Sequence, residues 1–169
     1  MSLETNDWTY CNLWISTAGC DQEDLHALDT LIEELRDLDD DSPLTFFNHC
    51  EIPECLISTC GDETPEVEAS NERSCGYRYL HQFTKQEWGC AFDAVEAKLG
   101  WTDDEMAFFT FRTSSNPPLG WLEKVSTLYP RLMFELEAVN ELDLWDGFTV
   151  MYVNGKQVDY RHDKKQPKK

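Results

Sequence analysis

Residues 106–139 read MAFFTFRTSSNPPLGWLEKVSTLYPRLMFELEAV, and this stretch decides the fold. Residues 106–113 are rich in aromatic and β-branched side chains and follow the turn-forming Thr102, Asp103 and Asp104, so they read as a strand. Pro117 and Pro118 supply a φ already suited to a helix start. Trp121, Leu122, Val125 and Leu128 then recur at helical spacing until Pro130 stops the run. Residues 132–139 alternate Leu132, Phe134, Leu136 and Ala138 against Met133, Glu135, Glu137 and Val139, the period of a second strand. Residues 148–153 follow as its hairpin partner. Asn154-Gly155 is a type I′ turn signal that leads into a further strand at 156–160.

Toward the N-terminus, residues 8–16 (WTYCNLWIS) alternate Trp8, Tyr10, Asn12, Trp14 and Ser16 against Thr9, Cys11, Leu13 and Ile15, which reads as an opening strand. Asp21 is placed to cap a helix whose apolar stripe is Leu25, Leu28, Ile32, Leu35 and Leu38. Residues 44–47 suit a short strand. Residues 48–75 show no lasting period, are cut by Pro53 and Pro65, and read as an irregular acidic insertion. Structure resumes at 77–83, and 88–99 fits a helix or a strand. The expected architecture is α+β: an antiparallel sheet with two helices on one face, one domain over residues 1–161 and a basic tail from 162 to 169.

The 169 residues carry 33 acids against 14 Lys and Arg, a net charge of −19. At 41% hydrophobic and 12% aromatic the chain has the means to bury a core, so a wholly unfolded acidic polymer is excluded. A phosphate-gripping surface is excluded as well, because binding nucleic acid relies on Lys and Arg displacing counterions. The charge is concentrated. Residues 21–41 hold ten acids and Arg36 alone in opposition, and seven acids run from Glu51 to Glu72 without a base. Acids at the C-terminal end of a helix oppose its dipole, so the Asp39-Asp40-Asp41 run is poorly explained by helix stability, although a solvated exit loop also accommodates it.

No apolar run is long enough to span a bilayer, and residues 1–7 have no basic secretory signature, so a cytoplasmic location is expected. Seven cysteines, an odd number, argue against a secreted disulfide framework. Cys50, Cys55, Cys60 and Cys75, with His49 and His81 nearby, raise zinc as an alternative, although their spacing departs from that of zinc hairpins. No nucleophile elbow, phosphate loop or His-Glu-x-x-His occurs, and the acid runs at 39–41 and 103–105 lack the alternation of a calcium loop. Trp8, Trp14, Trp88, Trp101, Trp121 and Trp145 are expected to pack the sheet against the two helices; a partner-facing hot spot would need them exposed together.

Residues 6–16 (NDWTYCNLWIS), 82–97 (QFTKQEWGCAFDAVEA) and 109–136 (FTFRTSSNPPLGWLEKVSTLYPRLMFEL), followed by the Asn154-Gly155 hairpin, resemble the YubB-type ferredoxin-like family carried by phages and plasmids. The resemblance implies a split βαβ topology without an iron–sulfur cluster, and a mobile-element context. It implies no reaction.

The functional expectation is a non-enzymatic inhibitor or adaptor without a cofactor. It would bind a basic, nucleic-acid-binding host defence complex, of CRISPR or restriction type, through a surface imitating nucleic acid. It would not bind nucleic acid itself, nor a membrane. The expected contact residues are Glu33, Glu34, Asp37, Asp39, Asp40, Asp41, Asp62, Glu63, Glu66, Glu68, Asp103, Asp104 and Glu105. The alternative is a zinc-stabilised structural or enzymatic domain using the central Cys/His residues. A third reading leaves the acidity without a partner.

Overall fold

The computed structural model describes residues 7–19, 21–143 and 146–164. Their order is β1 (Trp8–Thr17), α1 (Gln22–Glu34), two 3-10 turns (Phe47–His49 and Glu54–Leu56), α2 (Pro65–Cys75), α3 (Leu80–Glu87), β2 (Val95–Thr102), β3 (Met106–Ser114), α4 (Leu119–Leu128), β4 (Leu132–Asn140), β5 (Asp146–Val153) and β6 (Lys156–Lys164). The strands form one six-stranded sheet in the order β2-β3-β1-β4-β5-β6, each neighbouring pair antiparallel. The connection from β1 through α1 to β2 steps over β3, and the connection from β3 through α4 to β4 steps over β1.

Strand periodicity fills one face of this sheet. Leu13, Ile15, Phe109, Phe111, Phe134, Leu136 and Val150 point inward and meet Leu28, Leu31 and Leu35 of α1 and Trp121, Leu122 and Val125 of α4, all buried. The start of α1 is fixed twice. Asp21 accepts the Asp24 N–H at 2.9 Å, the expected N-cap. Arg131, just before β4, binds Asp24, Glu23 (2.9 Å) and Asp21 (2.5 Å) and so ties that helix end to the sheet.

Several expectations are corrected. α1 ends at Glu34, so Leu38 falls outside the apolar stripe and is 85% exposed. Residues 44–47 form no strand: the Thr45 N–H donates to the Leu35 carbonyl and the Phe46 N–H to Asp93, partners that are not a sheet edge. The 48–75 segment is largely structured, because Pro65 opens α2 and Gly76, at φ 85°, closes it in the left-handed region. Four α-helices therefore stand among the described residues where two were expected. Residues 95–102 resolve as strand, with register irregularities and Glu96 at φ 53°. β6 runs to Lys164, into the expected tail. Of the tryptophans, Trp88 and Trp121 are in the core. Trp8, Trp14 and Trp101 lie on the sheet's opposite face, and Trp145 lies outside the described residues. No helix among the described residues is long and apolar enough to cross a membrane.

Candidate partner-binding surface

The loop after α1 is built to display side chains. Asp37 and Ser42 exchange backbone hydrogen bonds at 2.8 and 3.1 Å, which closes residues 37–42 into a tight turn. Inside it the Asp37 carboxylate accepts the N–H groups of Asp39 (3.0 Å) and Asp40 (3.3 Å). Asn48 caps the helix end from outside, donating to the Glu34 and Arg36 carbonyls. The local backbone is thus satisfied without Leu38, Asp39, Asp40 or Asp41, and all four side chains point to solvent. Arg36 reaches Asp41 only at 4.0 Å and Glu33 at 3.9 Å, contacts too long and exposed to neutralise the loop.

Asp37, Leu38 and Asp39 form one side of a cleft of about 620 Å³ whose other walls include Trp88, Phe92 and Asp93. Asp93 was not expected from sequence. Its carboxylate takes the Thr45 hydroxyl, the Phe46 N–H (2.7 Å) and the Ala94 N–H (2.8 Å), yet burial still pushes its pKa above the usual carboxylate range. A carboxylate so fully engaged pins the 44–47 segment to the chain after α3; it is not a free acid or base. The cleft sets apolar walls beside Asp37 and Asp39, and Arg36 also lines it, so it combines apolar surface with charge of both signs.

The other expected contact residues separate by what they already do. Glu34 accepts the Tyr129 hydroxyl at 2.5 Å and faces His49 Nε2 at 3.1 Å; the Tyr129 hydrogen bond is the main cause of its lowered pKa. Glu63 accepts the Cys60 and Gly61 N–H groups at 2.7 and 2.8 Å, and the first of these lowers its pKa most. Asp62 accepts the Cys60 thiol at 2.7 Å. Glu66 and Glu68 occupy the first turn of α2, where acids complement the helix dipole. Asp103 accepts the Glu105 and Met106 N–H groups and so shapes the β2–β3 turn, which also holds Asp104. Glu33 and Asp41 border a second cleft, of about 390 Å³, together with Leu99 and Thr102, which brings the α1 exit beside the end of β2. None of residues 62–68 lines either cleft.

The central thiols and histidines do not converge on one point. Cys55 and Cys75 stand with their sulfurs 3.3 Å apart, while Cys60 turns to Asp62. His49 is held by Glu34 and Tyr129, and His81 meets the Phe92 ring edge-on at 4.9 Å. Among the described residues the group of three or more donors that could hold an ion is Cys60, Asp62 and Glu63, at the surface. The expected Cys/His set is therefore not a single centre.

No family model matches the chain, and no curated protein matches it. Among solved structures, the crystal structure of a protein api92 from Yersinia pseudotuberculosis, of the family model DUF1281, aligns with a TM-score of 0.47 and 15% identity. The alignment covers 60% of this chain and 37% of that one, so this chain spans little more than a third of that protein's length. A likeness of that extent says nothing of what the chain does.

Proposed function

We propose that the chain is a non-enzymatic phage or plasmid protein, acting in the host cytoplasm, that binds a basic, nucleic-acid-binding defence complex of CRISPR or restriction type. It inhibits that complex by occupying the surface its nucleic acid would use. The observation that carries this reading is the 37–42 loop, whose internal bonds hold Leu38, Asp39, Asp40 and Asp41 outward beside a partly apolar cleft. Carboxylates attract the Lys and Arg residues that grip phosphates, and Leu38 with the cleft accepts their aliphatic stems. The acids at 103–105 follow the end of β2 that the α1 exit approaches, and those at 62–68 add to the total negative charge. The two interleaved crossovers, β1–α1–β2 and β3–α4–β4, support a ferredoxin-like reading of the first four strands, with β5 and β6 added at the β4 side. The resemblance to the YubB-type family supports the mobile-element context.

The test titrates the protein into purified effector complexes of both types carrying labelled duplex DNA, at rising salt. Displacement that weakens steeply with salt, and is lost when Asp39, Asp40 and Asp41 are reversed to Lys, supports the reading. Asp37 is left intact because it holds the loop together. No displacement from any complex, or displacement indifferent to salt and to the triple reversal, overturns it. The rival, a metal-stabilised domain, is favoured only by the Cys60, Asp62 and Glu63 group. It requires a chelator to lower the melting temperature, and an unchanged melting temperature removes it.

A further inference from the structure

Asn154-Gly155 is the one Asn-Gly pair in the chain, and its chemistry extends beyond turning a hairpin. Both residues lie in the left-handed region, at φ 49° and 70°, the conformation of a type I′ turn between the paired Val153 and Lys156. The turn is docked on α4. The Gly155 N–H donates to Ser126 Oγ at 3.1 Å, and Ser126, wholly buried, donates its hydroxyl in turn to the Glu123 carbonyl at 3.0 Å. A Cβ on Gly155 would collide with the Thr127 hydroxyl, so glycine is what lets the turn sit this close to the helix. Asn154, by contrast, is exposed, and among the described residues nothing hydrogen-bonds its side-chain amide.

An asparagine followed by glycine carries an electrophile next to an unshielded backbone nitrogen, because glycine has no side chain to block the approach. The Gly155 nitrogen attacks Asn154 Cγ and loses its proton to water. The N–Cγ bond forms, the Cγ–Nδ2 bond breaks and ammonia leaves, which closes a succinimide ring. Water then opens the ring at one of its two carbonyls. Attack at Cγ leaves aspartate, whereas attack at the Asn154 main-chain carbonyl leaves isoaspartate, in which the chain runs through Cγ and is one methylene longer. One water is consumed and one ammonia released, with no oxidant or reductant. In this fold the electrophile is free but the nucleophile is held: with its N–H on Ser126, the Gly155 nitrogen cannot turn onto Cγ until the turn lifts from α4. The two products also differ in consequence. Asp-Gly favours the same type I′ turn, whereas the added methylene lengthens the two-residue connection that sets the register of β5 and β6.

We propose that Asn154 is a deamidation site gated by the contact of the β5–β6 turn with α4. The docked turn holds the reaction back, and lifting of the turn from Ser126 releases it. The isoaspartyl product does not redock, so a transient opening of the hairpin becomes a permanent one. The inference is independent of the proposed function, since it involves no residue of the 37–42 loop and no partner.

The experiment incubates the full chain and a free peptide of residues 151–158 in the same neutral buffer. Peptide mapping by mass spectrometry follows asparagine, aspartate and isoaspartate at position 154. The folded protein is expected to react at least about tenfold more slowly than the peptide, by a factor that agrees within about threefold with the protection of the Gly155 amide in hydrogen exchange. Ser126→Ala removes one hydrogen bond and should speed the reaction in the folded protein about two- to tenfold, with folding checked by circular dichroism. If that variant does not fold, the comparison of deamidation with hydrogen exchange decides alone. Asn154→Asp should melt as the parent does, and the isolated isoaspartyl form several degrees lower. Reaction as fast in the protein as in the peptide overturns the proposal. So does a slowing unrelated to the protection of Gly155, a folded Ser126→Ala protein that reacts at the parent's rate, or an isoaspartyl form that melts with the parent.

Discussion

Trp121 donates its backbone N–H to the carbonyl of Trp88 at 3.1 Å, joining the start of α4 to the end of α3. The contact depends on Gly120. A Cβ built there would sit 2.6 Å from the Glu87 carbonyl oxygen, a backbone atom that cannot turn aside. From the other side, a Cβ on Gly89 would meet the Pro117 carbonyl at 3.0 Å. The Trp-Gly segment at 88–89 and the Pro-Pro-Leu-Gly-Trp segment at 117–121 are thus two halves of one joint.

Gly120→Ala tests the joint. Alanine in a helix ordinarily stabilises relative to glycine by about 1 kcal/mol. Here the displaced backbone should reverse the sign, for a net loss of about 1–3 kcal/mol in a urea titration. A stabilised Gly120→Ala protein would show that α3 and α4 do not approach this closely.

Asp93 separates a charge effect from a hydrogen-bond effect. Its folded pKa is raised, so it favours folding most below the unfolded carboxylate pKa, and that contribution is lost as pH rises through the folded value. Asp93→Asn keeps an acceptor for the Phe46 and Ala94 N–H groups without the buried charge, and should be neutral or stabilising at pH 7. Asp93→Ala leaves those donors and the Thr45 hydroxyl without an acceptor, and should cost about 1–3 kcal/mol. Equal losses in both variants would contradict the assignment.

Tyr129→Phe should make stability less dependent on acid. The Tyr129 hydroxyl lowers the Glu34 pKa, so this pair stabilises the fold above the unfolded Glu pKa, and its contribution is lost as pH falls through the folded value. With Glu34 half exposed, the expected loss at pH 7 is about 1 kcal/mol, shrinking toward zero once both states are protonated. Chemical denaturation at pH 7 and at pH 3 measures the difference; an equal loss at both would place the effect in packing rather than in the carboxylate.

Cys55 and Cys75, with sulfurs 3.3 Å apart, should join when the protein is equilibrated with oxidised glutathione, each disulfide formed consuming one glutathione disulfide and releasing two glutathione thiols. Non-reducing peptide mapping should recover the 55–75 crosslink, and the melting temperature should rise because the second 3-10 turn is then tied to the end of α2. The Cys55 pKa is raised, foremost by its contact with Cys75, so the reaction should quicken as pH increases. Predominant crosslinking of Cys60 instead would contradict the geometry.

Much of the scaffold is legible in the chain. Asp21 caps α1, the prolines at 117 and 118 precede α4, and Asn154-Gly155 turns the last hairpin, because each of these signals acts within a few residues. What is missed depends on distance. α2 has its bracketing Pro65 and Gly76, but its apolar content is too sparse to produce a stripe, and its buried member is Asn71, held through the Arg78 carbonyl. Leu38 matches the helical spacing but lies past a helix end set by tertiary bonds from Thr45 and Asn48. Which face of β1 is covered is hidden for another reason. In β1 the alternate set of Trp8, Tyr10 and Trp14 is as apolar as the core set of Cys11, Leu13 and Ile15, so periodicity detects a strand without saying which side is covered.

The irregular pairing of β2 limits what can pair with that edge of the sheet. With its ladder interrupted between Val95 and Lys98 and again between Leu99 and Trp101, and with Glu96 turned into the left-handed region, this edge offers no continuous template for an incoming strand. On this flank the irregularity guards the protein against edge-to-edge association with its own copies.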